Sequence, residues 1–237
     1  RVGHRMGAAL DDAGVLIDIS HVGNVTGRDA IDASANPIAV THGNPASFCP
    51  SARNKPDDLI EAMAARGGVI GCTLYPLFMG GADVPRSAYC QMLADLAGRI
   101  GVDHVAIGTD AVVGWQPDAL GWMRNGRWDR PANPDEVPPF PPWPDWFRGP
   151  EDFPSLAEGL DEAGFLPEER DAGLGGNWLR LFGQVFHGGD TTGRQLNRQV
   201  TIHAVHVEKI FSRLGQFKSL FGYQCFGQQD ILGTLTQ

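Results

Sequence analysis

The sequence predicts an α/β fold in which helices cover a parallel β-sheet. Over residues 1–110, short β-branched apolar runs alternate with longer stretches that carry apolar residues at helical spacing. The short runs are apolar almost throughout, which is typical of strands buried on both faces. Polar residues follow several of these runs directly, where the carboxyl ends of parallel strands face the ligand side of such folds.

Four strands are predicted in this region. Their apolar, β-branched composition and the turns that bound them indicate strands rather than helices. They cover residues 15–19, 37–41, 69–74 and 104–108.

Helical patterns separate these strands. The helix after the second strand begins at Pro56, whose fixed φ suits a first helical turn, and Asp57 and Asp58 complement its positive end. It ends at Gly67 and Gly68, which favour a helix stop. The other helical patterns lie within residues 6–14, 29–34, 89–100, 155–160, 167–170 and 177–186.

Two regions depart from the βα pattern. Residues 115–150 carry most of the tryptophans and about half of the prolines, which predicts a long, ordered loop that acts as a lid or binding wall. Residues 188–237 differ in composition from the rest, and we expect a separate tail there, for which disorder is one possibility.

Composition excludes several classes of function. The 19 basic and 28 acidic residues give a net charge of −9, so nucleic acid is not an expected partner. The sequence has no apolar run of about 18 residues and no signal-peptide pattern, so no membrane partner is expected. The four cysteines form no CxxC pair, which argues against a zinc knuckle or a disulfide framework and favours a reducing compartment, here the bacterial cytoplasm.

Polar residues at three strand ends are the candidates for chemistry. His21 follows the first strand, His42 the second and Asp110 the fourth. Neutral imidazole is the commonest zinc ligand, and a nearby carboxylate can hold a proton of metal-bound water. Spacing alone leaves open the alternative that both histidines are hydrogen-bonded structural residues.

Two further charged residues allow two interpretations each. Asp18 lies inside an apolar strand, where a carboxylate must be paired, ligated or hydrogen-bonded to loop backbone. Arg53 lies on the loop after His42, where it could bind a substrate carboxylate in bidentate fashion or be solvated.

A series of motifs strongly resembles the membrane (renal) dipeptidase family of zinc peptidases. The motifs are Ile-Asp-Ile-Ser-His-Val at residues 17–22, Pro-Ile-Ala-Val-Thr-His-Gly-Asn at 37–44 and Ser-Ala-Arg-Asn-Lys-Pro-Asp-Asp at 51–58. Residues 67–71, 101–110 and 175–180 continue the match in the same order. The resemblance covers about residues 3–186.

The resemblance implies a (β/α)8 TIM-barrel, amidohydrolase-like fold with two zinc ions that hydrolyses dipeptides. Residues 1–187 would be the C-terminal half of that barrel, with about four βα units and a long loop at 111–150. His21 and His42 match two ligands of one zinc, and Arg53 matches the arginine that binds the substrate's terminal carboxylate. Asp110 matches the aspartate that contacts substrate and manages the proton of the reacting water.

The chain departs from the family pattern in three respects. The regions that supply the second zinc's ligands and the bridging carboxylate are absent, so we expect an upstream part and an incomplete dinuclear site. Ala111 follows Asp110 where a second aspartate is common, and the loop at 115–150 leaves substrate choice open. The tail after about residue 187 matches nothing in the family, and a shifted reading frame would explain it.

We therefore expect a zinc-dependent dipeptidase whose activity is incomplete in this chain. One alternative is a related metal-dependent hydrolase of another amide or of a lactone. Another is a non-catalytic fragment that binds only metal or a partner. Half a barrel exposes sheet edges and an apolar interior, which predicts a homo-oligomer.

Overall fold

A computed structural model describes residues 2–111 and 142–186 and contains a three-stranded parallel sheet. The strands are β1 (Ala39–Val40), β2 (Val69–Cys72) and β3 (Val105–Ile107), in the order β1-β2-β3. Ala39 pairs with Val69, and Ile70 pairs with Val105. The predicted α/β fold with a parallel sheet is confirmed, and each strand is shorter than the apolar run that predicted it.

The strand predicted over residues 15–19 is wrong as a regular strand. Only one residue of this segment, Asp18, forms a bridge, with Ala39 of β1. The Ile19 N–H donates to the Ala39 carbonyl at 2.8 Å, and the Ala39 N–H donates to the Ile17 carbonyl at 3.0 Å. The next N–H of the neighbouring strand, that of Thr41, donates to the Asp18 side chain at 3.1 Å, so these two contacts do not extend into a ladder. The first of the four predicted strands is therefore an edge bridge.

Eight α-helices lie in the described part of the chain, and most coincide with predicted helical patterns. α3 follows Pro56, has Asp57 and Asp58 in its first turn and ends before Gly67, whose φ of +83° permits the turn into β2. α4 is a short helix that the sequence did not indicate; Pro76 begins it and a left-handed Gly80 ends it. The helices are α1 (Val2–Asp12), α2 (Asn24–Ala33), α3 (Asp57–Ala64), α4 (Pro76–Met79), α5 (Arg86–Ile100), α6 (Phe153–Glu162), α7 (Pro167–Asp171) and α8 (Asn177–Val185).

Three short turns of other helical types complete the described elements. They are two 3₁₀ turns at Val102–His104 and Pro150–Asp152 and a π-helical turn at Ala172–Gly176, which leads into α8. None of these helices or turns is long and apolar enough to cross a membrane, as far as residues 2–111 and 142–186 are concerned.

Alternate residues of the strands pack on opposite faces of the sheet. One face, with Val40, Ile70 and Ile107, belongs to the main core formed with α2, α3, α5 and α6. The other face carries Ala39, Val69 and Ala106 and packs against three residues of α8, namely Trp178, Leu181 and Val185. Both faces are therefore covered by helices of the same chain.

The C-terminal end of the predicted long loop is well packed. Phe147 is only 1% exposed, and the Trp146 indole N–H donates to the Val84 carbonyl at 2.8 Å. Residues 112–141 of that loop and the whole predicted tail at 188–237 lie outside the described residues.

Candidate functional site

The two predicted metal-binding histidines face each other across the carboxyl end of the sheet. The Nε2 atoms of His21 and His42 lie 2.8 Å apart, and the ring centroids lie 4.8 Å apart. His21 follows the edge bridge and His42 follows β1, so the pairing at Asp18 and Ala39 brings their loops together. Residues separated by 21 positions in the chain thus share one small site.

Asp18 lies beside this pair as a hydrogen-bond acceptor. Its carboxylate accepts the backbone N–H and the hydroxyl of Ser20, at 2.9 and 2.5 Å, and those of Thr41, at 3.1 and 2.7 Å. Of the two interpretations of Asp18, the structure shows the one in which it bonds to the loops. Desolvation by the surrounding protein raises the pKa of Asp18, but these hydrogen bonds outweigh it and hold the pKa below its usual 3.8.

Thr41 connects Asp18 to His42 and determines the tautomer of the imidazole. The Thr41 hydroxyl donates its only proton to Asp18, so at the 2.8 Å contact with His42 it can only accept, from Nδ1–H. The His42 Nε2 atom therefore carries a lone pair that is directed at His21. His21 must then be the donor in the contact between the two Nε2 atoms.

Burial and the nearby positive charge of Arg53 favour a neutral His21. Burial, followed by the charges of Arg53 and His42, lowers the pKa of His21, while Asp18 and Asp110 oppose this shift. Neutral imidazole is the form that binds metal ions, so the site is set up for ligation near neutral pH.

Arg53 lies against the backbone of both histidine loops. Its guanidinium donates to the carbonyl of Ser20 and, at 3.4 Å, to that of His42, and it stacks over the Phe78 ring at 5.1 Å from the centroid. A guanidinium has five N–H donors, so donors remain for a ligand. Burial lowers the pKa of Arg53, while Asp110 and Asp18 raise it.

Asp110 follows β3 and completes the group of predicted residues. It has a φ of +57°, the left-handed conformation that few non-glycine residues adopt and that clusters at functional sites. Burial raises the pKa of Asp110, and the charges of His42, Arg53 and His21 act in the opposite direction. All four residues predicted for the site therefore lie within electrostatic reach of one another.

Sequence reasoning missed a buried amide network beneath the site. The Asn44 side chain donates to the carbonyls of Thr73 and Phe78 and accepts the Thr73 N–H at 3.0 Å. Asn54 accepts the Asn44 N–H at 3.0 Å and donates to the carbonyls of Cys49 and Phe78. These contacts tie the loop that carries Arg53 to the end of β2. Both residues stand in the motifs quoted above, but no local pattern distinguishes them from solvated loop asparagines.

The residues present fit part of a metal site. The facing Nε2 atoms supply two nitrogen ligands, and Thr41 orients one of the rings, as the partners of metal-binding histidines usually do. Two nitrogens bound to one tetrahedral zinc at about 2.0–2.1 Å lie about 3.3 Å apart, so a small separation of the rings would suffice. Among the described residues, however, no three histidine, cysteine or carboxylate side chains are grouped so that they could hold a metal.

Comparisons with solved structures support this fold. An amidohydrolase from Pseudomonas aeruginosa superimposes with a TM-score of 0.67 and 28% identity over 77% of this chain and 56% of its own. A metallopeptidase from Rhodobacter sphaeroides, liganded with a phosphinate mimic of the dipeptide L-Ala-D-Ala, has a TM-score of 0.62 at 20% identity, over 78% of this chain and 46% of its own. The second likeness shows the fold alone.

Sequence comparisons identify the family. Dipeptidase aclJ of Aspergillus oryzae is 26% identical over 185 residues, which are 78% of this chain but only 38% of that relative. The chain thus spans about two fifths of the length of this curated relative. The model of the membrane dipeptidase family, peptidase family M19, matches residues 1–122, just over half of the 237 residues. The resemblance carried by the motifs is confirmed, and the chain belongs to the membrane dipeptidase family.

Proposed function

We propose that this chain forms part of a metal-dependent dipeptidase and carries one side of its active site. The observation that carries the proposal is the contact between the two Nε2 atoms of His21 and His42, at 2.8 Å. Family membership and the dipeptidase relative support the same activity. Because no three metal-binding side chains are grouped among the described residues, the complete site requires residues from outside those ranges.

His21 and His42 would hold one zinc ion, in a (β/α)8 barrel of which the described sheet is part. Bound zinc lowers the pKa of a coordinated water and polarises the scissile carbonyl. His42 is already in the tautomer that presents Nε2, whereas the proton on the Nε2 atom of His21 would have to move to Nδ1 by exchange with solvent before that atom could bind a metal.

Arg53 and Asp110 would act on the substrate. Arg53 would bind the terminal carboxylate through donors that its backbone contacts leave free. Asp110, whose pKa is raised by burial, would accept a proton from the attacking water and pass it to the leaving amine. A carboxylate with a raised pKa is better suited to this exchange near neutral pH than an ordinary aspartate.

Metal binding is tested by calorimetry with Zn²⁺ on the whole chain. We expect binding that is lost in the double variant His21→Ala, His42→Ala and kept in His4→Ala, which removes an exposed imidazole from α1. Equal binding by the double variant and the wild type would contradict the proposed zinc site.

Activity is tested after an upstream half from a family member is supplied. Zinc-dependent hydrolysis of dipeptides that falls by more than about 100-fold in His42→Ala would support the proposal. A panel with N-acyl amino acids and lactones distinguishes the alternative hydrolase, which Ala111 and the loop at 115–150 keep open. Absence of dipeptide hydrolysis from a folded, zinc-loaded complex would contradict it.

A further inference from the structure

Lys55 is a buried cation that the proposed chemistry does not use. It is only 1% exposed, although lysine is almost never fully buried without a partner. Its ammonium donates to the backbone carbonyl of Val22 at 2.8 Å, and within the described ranges it forms no salt bridge. Burial and the charge of Arg53 lower the pKa of Lys55, and only Asp18 acts in the opposite direction. An ammonium in this environment requires a structural explanation.

The main chain of Lys55 is attached to the other histidine loop. Its N–H donates to the Asn44 carbonyl at 3.0 Å, and its carbonyl accepts the Ala46 N–H at 2.9 Å. Asn44 lies two residues after His42, and Val22 lies one residue after His21. A single residue therefore contacts both loops, one through its backbone and the other through its side chain.

Arg53 and Lys55 hold the His21 loop from both sides. Arg53 donates to the carbonyl of Ser20, just before His21, and Lys55 donates to that of Val22, just after it. The intervening Asn54 points away, toward the carbonyls of Cys49 and Phe78. The backbone here is a turn, closed by the hydrogen bond from the Asn54 N–H to the Ser51 carbonyl at 3.2 Å, and it leads into the bridge between Pro45 and Lys55.

We propose that Lys55 is a positioning residue that fixes His21 against His42 by holding the Val22 carbonyl. The inference rests on the proposed function only because the same imidazole pair is the proposed zinc site. Arg53 and the hydrogen bonds of Ser20 with Asp18 and His42 hold the loop just before His21. Lys55 holds the carbonyl just after it, and anchors on both sides of His21 determine the direction of the ring. Partners of this indirect kind typically change metal affinity by about 10–100-fold.

The test uses the whole chain without metal and the side-chain ¹⁵N–¹H NMR signals of its histidines. His21→Ala and His42→Ala assign the proton in the contact between the two Nε2 atoms. Lys55→Met keeps the length of the side chain and removes the ammonium, and we expect the signal of that proton to be lost. Lys55→Arg restores a donor and should recover it. Arg28→Met, which removes a cation from a surface salt bridge on α2, should leave it unchanged.

An unchanged signal in folded Lys55→Met would overturn the inference, even if the variant is less stable. If Lys55→Met fails to fold, the test is made on the wild type. NMR then measures the scalar coupling across the hydrogen bond between Lys55 Nζ and the Val22 carbonyl carbon. A detectable coupling supports the contact between Lys55 and Val22. If the ammonium protons exchange slowly with water and no coupling is seen, the positioning role of Lys55 is overturned.

A Zn²⁺ titration separates this inference from the proposed function. Weaker binding by about 10–100-fold in Lys55→Met, restored in Lys55→Arg, supports both. If the wild type binds no zinc but the shared proton signal is lost in Lys55→Met, the zinc site is contradicted and the positioning role is supported. Equal zinc binding and an unchanged signal in Lys55→Met overturn the positioning role alone.

Discussion

A single hydroxyl, that of Thr41, determines which nitrogen of His42 is available. It donates to Asp18 at 2.7 Å and contacts His42 Nδ1 at 2.8 Å, so the carboxylate orients the hydroxyl and the hydroxyl orients the imidazole. Such indirect partners orient metal ligands and raise their basicity. The sequence placed Thr41 and His42 at the end of a strand, but it could not predict that Asp18 reaches both Ser20 and Thr41.

Thr41→Val should abolish the preference of His42 for its Nδ1–H tautomer. Valine has nearly the same shape but cannot accept this proton, and the loss of a hydrogen bond to the charged Asp18 should destabilise the fold by about 1–3 kcal/mol. The measurement is the pair of ring ¹⁵N chemical shifts of His42, with urea unfolding in parallel. Thr26→Val on the exposed face of α2 is the control. A purely Nδ1–H imidazole in Thr41→Val would contradict the role of Thr41.

Asp110→Asn should stabilise the folded chain more at pH 7 than at pH 4. Burial raises the pKa of Asp110, so the wild type loses stability as the pH rises from the unfolded value of 3.8 through the raised folded value. Asparagine cannot ionise and tolerates the left-handed φ of +57°. Urea unfolding across this pH range measures the difference.

Asp32→Asn, which removes the same charge from an exposed position of α2, controls for net charge. A stability difference between Asp110→Asn and wild type that does not grow with pH would show that the site does not disfavour the ionised carboxylate. Such a result would also remove the argument that Asp110 is suited to proton transfer near neutral pH.

At the scale of elements, α8 covers the sheet face that a partial barrel was expected to leave open. The helix can approach closely because that face carries small residues; a Cβ added at Gly71 would lie 2.7 Å from the Trp178 ring. The Trp178 indole N–H also donates to the Ile107 carbonyl at 2.9 Å. The helical pattern at residues 177–186 was predicted correctly, but which face of the sheet it would cover was not.

Trp178→Ala should destabilise the chain by about 3–5 kcal/mol, because it removes a large side chain that is only 6% exposed together with its hydrogen bond. Leu179→Ala is a matched control on the same helix: Leu179 is 45% exposed, and its truncation should change stability by no more than about 0.5 kcal/mol. Urea unfolding measures both variants. Similar losses in the two would mean that α8 does not dock through Trp178.

For the whole molecule, self-association stays a prediction. It was predicted from open sheet edges and an exposed apolar interior, and the structure changes which of these two can cause it. α8 covers the second face, and Asn177 and Trp178 donate to the carbonyls of Val105 and Ile107 on the outer edge of β3. The less protected edge within the described ranges is therefore the segment around Asp18, which is hydrogen-bonded to β1 alone. Unpaired edges of this kind promote pairing with another chain. The predicted homo-oligomer would then form through this edge and not through an open apolar interior.

Val15→Lys should weaken self-association by about tenfold or more, because a charged side chain on an edge segment disfavours strand pairing. Val15 is 44% exposed, so the fold should tolerate the change. Sedimentation velocity over a concentration series measures the association constant. Val25→Lys adds the same charge at a 78% exposed position of α2 and should have no effect. Equal association by the two variants would exclude the edge as the interface.

The sequence by itself determined the order of β1 to β3 and of the longer helices, the parallel sheet, and the placement of His42 and Asp110 directly after strands. These features follow from local periodicity, which the backbone geometry of each element imposes. Its motifs also identified the family and singled out Arg53. Only the tertiary structure decided the contact between the imidazoles, the hydrogen bonds that connect Asp18 to His42 through Thr41, and the burial of Lys55. These depend on hydrogen bonds between atoms 20 or more residues apart, whose partners are determined by packing and leave no periodic signal in the chain.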